Sequence, residues 1–121
     1  MAKVLISPGK YVQGAGEMKK LGEYAQNYGK KALILISKGG YKRIGAMVEK
    51  SFEGKECGYV FDYFNGECSK KEIKRLGEIV KKEACDVVIG IGGGKIFDTA
   101  KAVAYLSLIH ISEPTRLLSI S

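Results

Sequence analysis

The sequence predicts an α/β fold, a parallel sheet with helices packed on both faces. Three observations predict it. Two strand-length runs, 32–36 and 87–91, hold no charged residue, which suits strands covered on both sides. Segments with apolar residues at helical spacing separate the candidate strands. The two kinds of segment alternate at the spacing of strand–helix–strand units.

Taken in order, residues 3–7 read as a short strand ended by Pro8-Gly9, and Tyr11-Val12-Gln13 as a second extended piece before Gly14. From Glu17, the apolar positions Met18, Leu21, Ala25 and Tyr28 recur with helical period, and Asn27 and Gly29 supply a stop. Residues 32–36 form the next strand. Gly39-Gly40 is expected as the turn after it, and Ile44, Met47, Val48 and Phe52 mark a helix. Tyr59-Val60-Phe61 gives a third strand. Ser69-Lys70-Lys71-Glu72 has the capping-box pattern, in which the serine caps the helix start and the glutamate reaches back to it. The helix it opens turns Ile73, Leu76, Ile79 and Val80 inward. Residues 87–91 are the fourth main strand, and 99–105 a final helix.

A length of 121 residues fits one small domain or a piece of a larger one. Sixteen glycines against two prolines suit tight strand–helix turns better than a disordered linker. The net charge of +7 raises the question of nucleic acid. The lysines of 70–83 alternate with glutamates, however, as on a solvated helix face, and no nucleic-acid motif accompanies them. Cys57, Cys68 and Cys85 are odd in number and form no CxxC pair, which fits a reducing, cytoplasmic setting rather than a disulfide framework. No signal peptide or membrane span is apparent, so no membrane partner is expected.

The most informative segment is 90–101, Gly-Ile-Gly-Gly-Gly-Lys-Ile-Phe-Asp-Thr-Ala-Lys. Strand, clustered glycines, then helix is the layout of a phosphate-binding turn. Glycines let the backbone approach an anion closely, and a helix start offers unpaired N–H groups and the positive end of a dipole. Lys95 adds a full positive charge. The competing reading is a tight turn whose glycines serve packing alone. Two familiar loops are excluded. The sixth position of G-x-G-x-x-G is Lys95 rather than glycine, and the Walker A pattern meets Ile89 and Ile96 at required positions. Asp98 is either an acid stabilised by the helix dipole or a hydrogen-bonding partner for a ribose or backbone amide. Lys101 reads as a solvated helix lysine.

Gly92-Gly93-Gly94-Lys95-x-x-Asp98-x-x-Lys101 resembles the G-G-G-[SK]-x-x-D-x-x-K signature of the iron-containing alcohol dehydrogenase superfamily, with lysine at the fourth position as in its glycerol dehydrogenase branch. Ser7-Pro8-Gly9-Lys10-Tyr11-Val12-Gln13-Gly14 is similar to that branch's first strand and turn, and Gly66-Glu67-Cys68-Ser69-x-x-Glu72-Ile73 to its third-helix start. The resemblance runs from about Val4 to Tyr105.

It implies a Rossmann-like, incomplete N-terminal domain at 1–105. It further implies NAD as cofactor and oxidation of glycerol to dihydroxyacetone, with zinc polarising the alcohol in the full-length family. Gly92, Gly93, Gly94 and Lys95 would hold the pyrophosphate, with Asp98 supporting the cofactor at the same turn. The family commonly places an acid at the end of the second main strand to grip the adenosine ribose. Here Ser37 stands there, followed by Lys38. A serine does not repel a 2′-phosphate, so weaker NAD preference with NADP tolerated is expected.

The family's metal ligands, one aspartate and two histidines of a helical domain, have no counterpart here, and His110 is the only histidine. No catalytic residue is assigned. Residues 106–116 resemble the translation of a transposase-type sequencing adapter, so 106–121 is expected to be a non-native tail. On this view the chain is an N-terminal fragment, inactive and marginally stable alone, with a small polyol and a homo-oligomer belonging to the full-length enzyme. The alternatives are a stand-alone nucleotide-binding module, or a relative acting on another alcohol or polyol.

Overall fold

The computed structural model describes residues 3–7, 10–13 and 19–108, with side chains from 19 to 106. Its elements are β1 (Lys3–Ser7), β2 (Lys10–Gln13), α1 (Leu21–Gln26), β3 (Lys31–Ile36), α2 (Lys38–Ser51), β4 (Gly58–Tyr63), α3 (Lys70–Lys82), β5 (Val87–Ile91) and α4 (Gly94–Leu108). They form one sheet in the order β2-β1-β5-β3-β4, with helices on both faces.

The α/β class and the parallel β5-β3-β4 core agree with the sequence. One strand departs from the expected parallel arrangement, because β1 runs antiparallel to both β2 and β5. The cause is the connection. Two residues, 8 and 9, join β1 to β2, and so short a link can only reverse the chain. β2 then runs in the direction of β3, and the crossover through α1 is an ordinary parallel one. The Pro8-Gly9 turn, Gly14 and the start of the first predicted helix at Glu17 and Met18 lie outside the described residues. A 3₁₀ turn at Lys19-Lys20 leads into α1.

The pleat sorts the core into two layers. Ala32, Ile34 and Ile36 of β3, with Val87, Ile89 and Ile91 of β5, pack against Leu21 and Ala25 of α1 and Val48 of α2. Leu33, Leu35 and Val88 point the other way, against Leu76 and Val80 of α3 and Ile96, Ala100, Val103 and Ala104 of α4. Both faces of β3 and β5 are therefore dry, which is why their sequences do not alternate. At full burial each such Leu, Ile or Val side chain contributes about 1.5–3 kcal/mol. Gly90 lets α4 sit close, since a Cβ there would lie 3.0 Å from the Ala100 Cβ.

Two helix starts differ from expectation. Gly39 and Gly40 are not a separate turn but the first turn of α2, because the Ser37 side chain accepts from the Gly40 amide at 3.0 Å and starts the helix earlier. Likewise α4 begins at Gly94, well before Thr99, and runs through Leu108, so the first residues of the predicted 106–121 tail are helical.

Candidate functional site

The connections decide where a ligand can sit. From β3 the chain passes into α2 on one face. From β5 it passes into α4 on the other. Helices leaving neighbouring strands on opposite faces open a crevice beyond the strand carboxyl ends, the usual ligand position in open α/β sheets. Register fixes what lines it. Ile36 is paired with Ile91, so Ser37 and Gly92, each one residue further on, stand side by side at its mouth.

Gly92 has φ +145°, a conformation L-residues rarely adopt, and a Cβ there would lie 2.6 Å from Ile96 Cδ1. Gly93 and Gly94 are different, for a Cβ on either would meet no atom of the described residues within 4 Å. The first helical bond of α4 is Phe97 N–H to Gly93 O, 3.1 Å. The amides of 94–96 therefore have no intrahelical acceptor, and the 15-residue helix directs its positive dipole end at the same open space. Lys95 is exposed at the rim, its Nζ 3.7 Å from Glu67 Oε1. The turn thus fits a phosphate group: bare backbone, free donors, positive charge and room.

The other predicted site residues divide. Ser37 lies at the crevice, and its hydroxyl oxygen is engaged as the N-cap of α2. Asp98 is exposed one turn into α4, close in sequence to the glycines yet with no side-chain hydrogen bond among the described residues. Thr99 donates to Lys95 O at 2.8 Å, a bond within the helix. His110 lies outside the described residues.

A second feature was missed in the sequence. Beside the carboxyl ends of β3 and β4 is a cavity of about 610 Å³ lined by Lys38, Asp62, Tyr63, Phe64, Asn65 and Arg75. Lys38 Nζ sits over the Tyr63 ring, 5.8 Å from its centroid. The floor is organised by Glu72, whose side chain is only 1% exposed. The expected capping box forms by half. Ser69 Oγ accepts from the Glu72 amide at 3.1 Å, but the Glu72 carboxylate does not return to Ser69. It accepts from the Asn65 amide at 3.1 Å and from Arg75 Nε and Nη2 at 2.7 and 3.0 Å. These donors, Arg75 foremost, hold the Glu72 carboxyl below the usual carboxylate range. Arg75 Nη1 also reaches Asp62 at 2.9 Å and Nη2 the Tyr63 carbonyl at 3.2 Å. A glutamate followed by arginine at i+3 was the available signal.

Residues 8–116 match the family described as iron-containing alcohol dehydrogenase. The chain belongs to that family. It is 43% identical over 114 residues to a glycerol dehydrogenase of Escherichia coli O6:H1, covering 93% of this chain and 30% of the relative. A probable glycerol dehydrogenase structure from Sinorhizobium meliloti 1021 superposes with TM-score 0.67 at 38% identity, covering 84% of this chain and 26% of that one. The NADH-dependent butanol dehydrogenase A of Thermotoga maritima gives TM-score 0.69 at 34% identity, covering 86% and 27%. This alcohol dehydrogenase family chain thus spans about 30% of the length of the curated relatives it matches. The match continues to residue 116, past Tyr105, where the signature-based resemblance was expected to stop.

Among the described residues there is no group of three or more His, Cys, Asp or Glu side chains that could hold a metal ion. The three cysteines are free. Burial pushes the Cys57 and Cys85 thiols up to about 11, leaving Cys68 as the exposed one. Among the described residues no helix is long and apolar enough to cross a membrane.

Proposed function

We propose that this chain is the nicotinamide-dinucleotide-binding portion of a glycerol dehydrogenase, the enzyme that converts glycerol and NAD to dihydroxyacetone and NADH. The observation that carries the proposal is the glycine-opened start of α4 at the β3/β5 crevice, where no described residue crowds Gly93 or Gly94. The amides of 94–96 and the Lys95 ammonium would hold the pyrophosphate. Asp98 would support the cofactor from one turn into α4. Ser37, beside Gly92, would meet the adenosine ribose. When bound, the dinucleotide supplies a hydride acceptor. The chain's own residues bind and orient it.

On this reading the portion in hand would contribute cofactor binding, with polarisation of the alcohol left to the metal of the full-length enzyme. Alone it is expected not to oxidise glycerol. The full-length enzyme is proposed as a cytoplasmic homo-oligomer acting on a small polyol, without nucleic-acid or membrane partners. Because Ser37 lacks a carboxylate's charge, NADP is expected to be tolerated beside NAD.

Calorimetric titration with NAD, NADP and ADP-ribose tests the assignment. Saturable uptake of ADP-ribose and at least one dinucleotide is expected. A folded chain that takes up none of the three would overturn it.

A further inference from the structure

Lys95 does not wait unpaired for an anion. Its Nζ stands 3.7 Å from Glu67 Oε1, and the two side chains are 68% and 76% exposed. Glu67 comes from the loop between β4 and α3. The strand order β5-β3-β4 puts the whole width of β3 between the strand that starts this loop and the one that precedes Lys95. A chance meeting of two flexible side chains would not require a held backbone, yet this loop is held. The Phe64 amide donates to Ile36 O at 2.9 Å. The Asn65 amide donates to the buried Glu72 carboxylate at 3.1 Å, and the Glu67 amide to Asn65 Oδ1 at 3.1 Å. Ser69 then caps α3. The backbone is anchored up to Glu67, and only its side chain is free to turn.

The consequence follows from charge. A diphosphate on the amides of 94–96 needs the Lys95 ammonium, and it cannot share that cation with a neighbouring carboxylate without like-charge repulsion. We propose that Glu67 is an internal competitor for the phosphate site. Its carboxylate occupies Lys95 in the free protein and must swing into solvent when a diphosphate binds. This deepens the dinucleotide-binding reading above and rests on it. The effect is a moderate one, because exposed ion pairs are screened and weak. It lowers affinity for the multiply charged ligand and leaves the fold untouched, so Glu67 tunes affinity at the rim.

The test is a coupling cycle with ADP-ribose as probe, read by calorimetry on the 121-residue chain at low and moderate salt. Glu67→Gln is expected to bind ADP-ribose roughly two- to fivefold more tightly than the parent at low salt, the range an exposed pair can give. That gain should shrink as salt rises. In a Lys95→Met background the gain should be clearly smaller, because the cation that Glu67 competes for is gone. If Glu67→Gln binds no tighter, or gains as much without Lys95 as with it, the competitor role is wrong while the dinucleotide site stands. If the folded parent and variants all fail to bind ADP-ribose, both readings fall together.

Discussion

Gly92 and Gly93 are adjacent, yet a side chain should have opposite effects at the two positions, and the contrast separates the site from the fold. At Gly92 φ is +145°, and a Cβ would come within 2.6 Å of Ile96 Cδ1. Holding an L-residue in such a conformation costs about 1–3 kcal/mol. Ile96 is 7% exposed and packed into the α3/α4 layer, so it has little room to retreat. Gly92→Ala is therefore expected to destabilise the chain by about 2–3 kcal/mol. Among the described residues a Cβ at Gly93 meets nothing within 4 Å, so Gly93→Val should cost no more than about 1 kcal/mol, the loss of a glycine at the helix N-cap. Its branched side chain would instead fill the space in front of the α4 amides. Each N–H bond to a charged phosphate that it blocks is worth about 1.5–3 kcal/mol, or roughly ten- to hundredfold in affinity. Urea unfolding followed by far-ultraviolet circular dichroism reads the first effect, and calorimetry with ADP-ribose the second. A Gly92→Ala chain as stable as the parent would refute the backbone argument. A folded Gly93→Val chain that binds ADP-ribose undiminished would refute the assignment of the site.

Arg75→Met leaves the Glu72 carboxylate buried without its main donors; a fully buried pair broken this way loses about 3–5 kcal/mol. Water can replace part of Arg75, whose side chain is 43% exposed, so about 1–3 kcal/mol is expected in urea unfolding. The Glu72 pKa is lowered on folding from its ordinary 4.5, so the stabilisation it gives is complete above that pH and is lost as pH falls through the folded value; Glu72→Gln should flatten the parent's acid decline in that window. Ser37→Asp should shift the ratio of NAD to NADP affinity toward NAD by roughly tenfold, through a new carboxylate–ribose bond and repulsion of the 2′-phosphate; an unchanged ratio places Ser37 off the ribose. Of the three thiols, only Cys68 should react promptly with a disulfide reagent at neutral pH, with Cys57 and Cys85 following on unfolding.

The residues that announce themselves in the sequence are those whose structure is decided locally or by complete burial. β3 and β5 are legible because a strand covered on both faces needs an unbroken apolar run, and 32–36 and 87–91 supply it. The start of α3 is legible because Ser69 acts on an amide three residues away. Where long-range partners compete, local rules fail. Glu72 has the spacing to cap Ser69, but Arg75 and the Asn65 amide offer charge-assisted bonds in a buried place and win. Gly39-Gly40 looks like a turn, yet Ser37 caps two residues before them and draws both glycines into α2. The reversal of β1 follows from a two-residue link rather than from its own composition. The glycine turn itself was readable because strand, glycines and helix are consecutive. The contact between Glu67 and Lys95 was not, because it depends on how β4, β3 and β5 are ordered in space.

That ordering is also what makes the glycine turn more than a motif. The same five residues, 91–95, at the outer edge of a sheet would present free amides to bulk water, with nothing to orient the rest of a dinucleotide. Between β3 and β5 they stand next to Ser37 and the start of α2, because Ile36 and Ile91 are in register. The cavity holding Lys38, Tyr63 and Arg75 lies beyond the next strand end. A diphosphate at 94–96 would therefore have Ser37 beside it to meet a ribose and, further along the same rim, a cavity with an aromatic wall. The Glu67 carboxylate, paired with Lys95, would stand against its charge. On the proposed reading, affinity for the phosphates would be set by the start of α4 and by Glu67, and discrimination among dinucleotides by what β3 carries at its end. Substitutions in the two groups should accordingly separate: those at 93–95 weakening every diphosphate alike, those at 37 and 38 changing only which one is preferred.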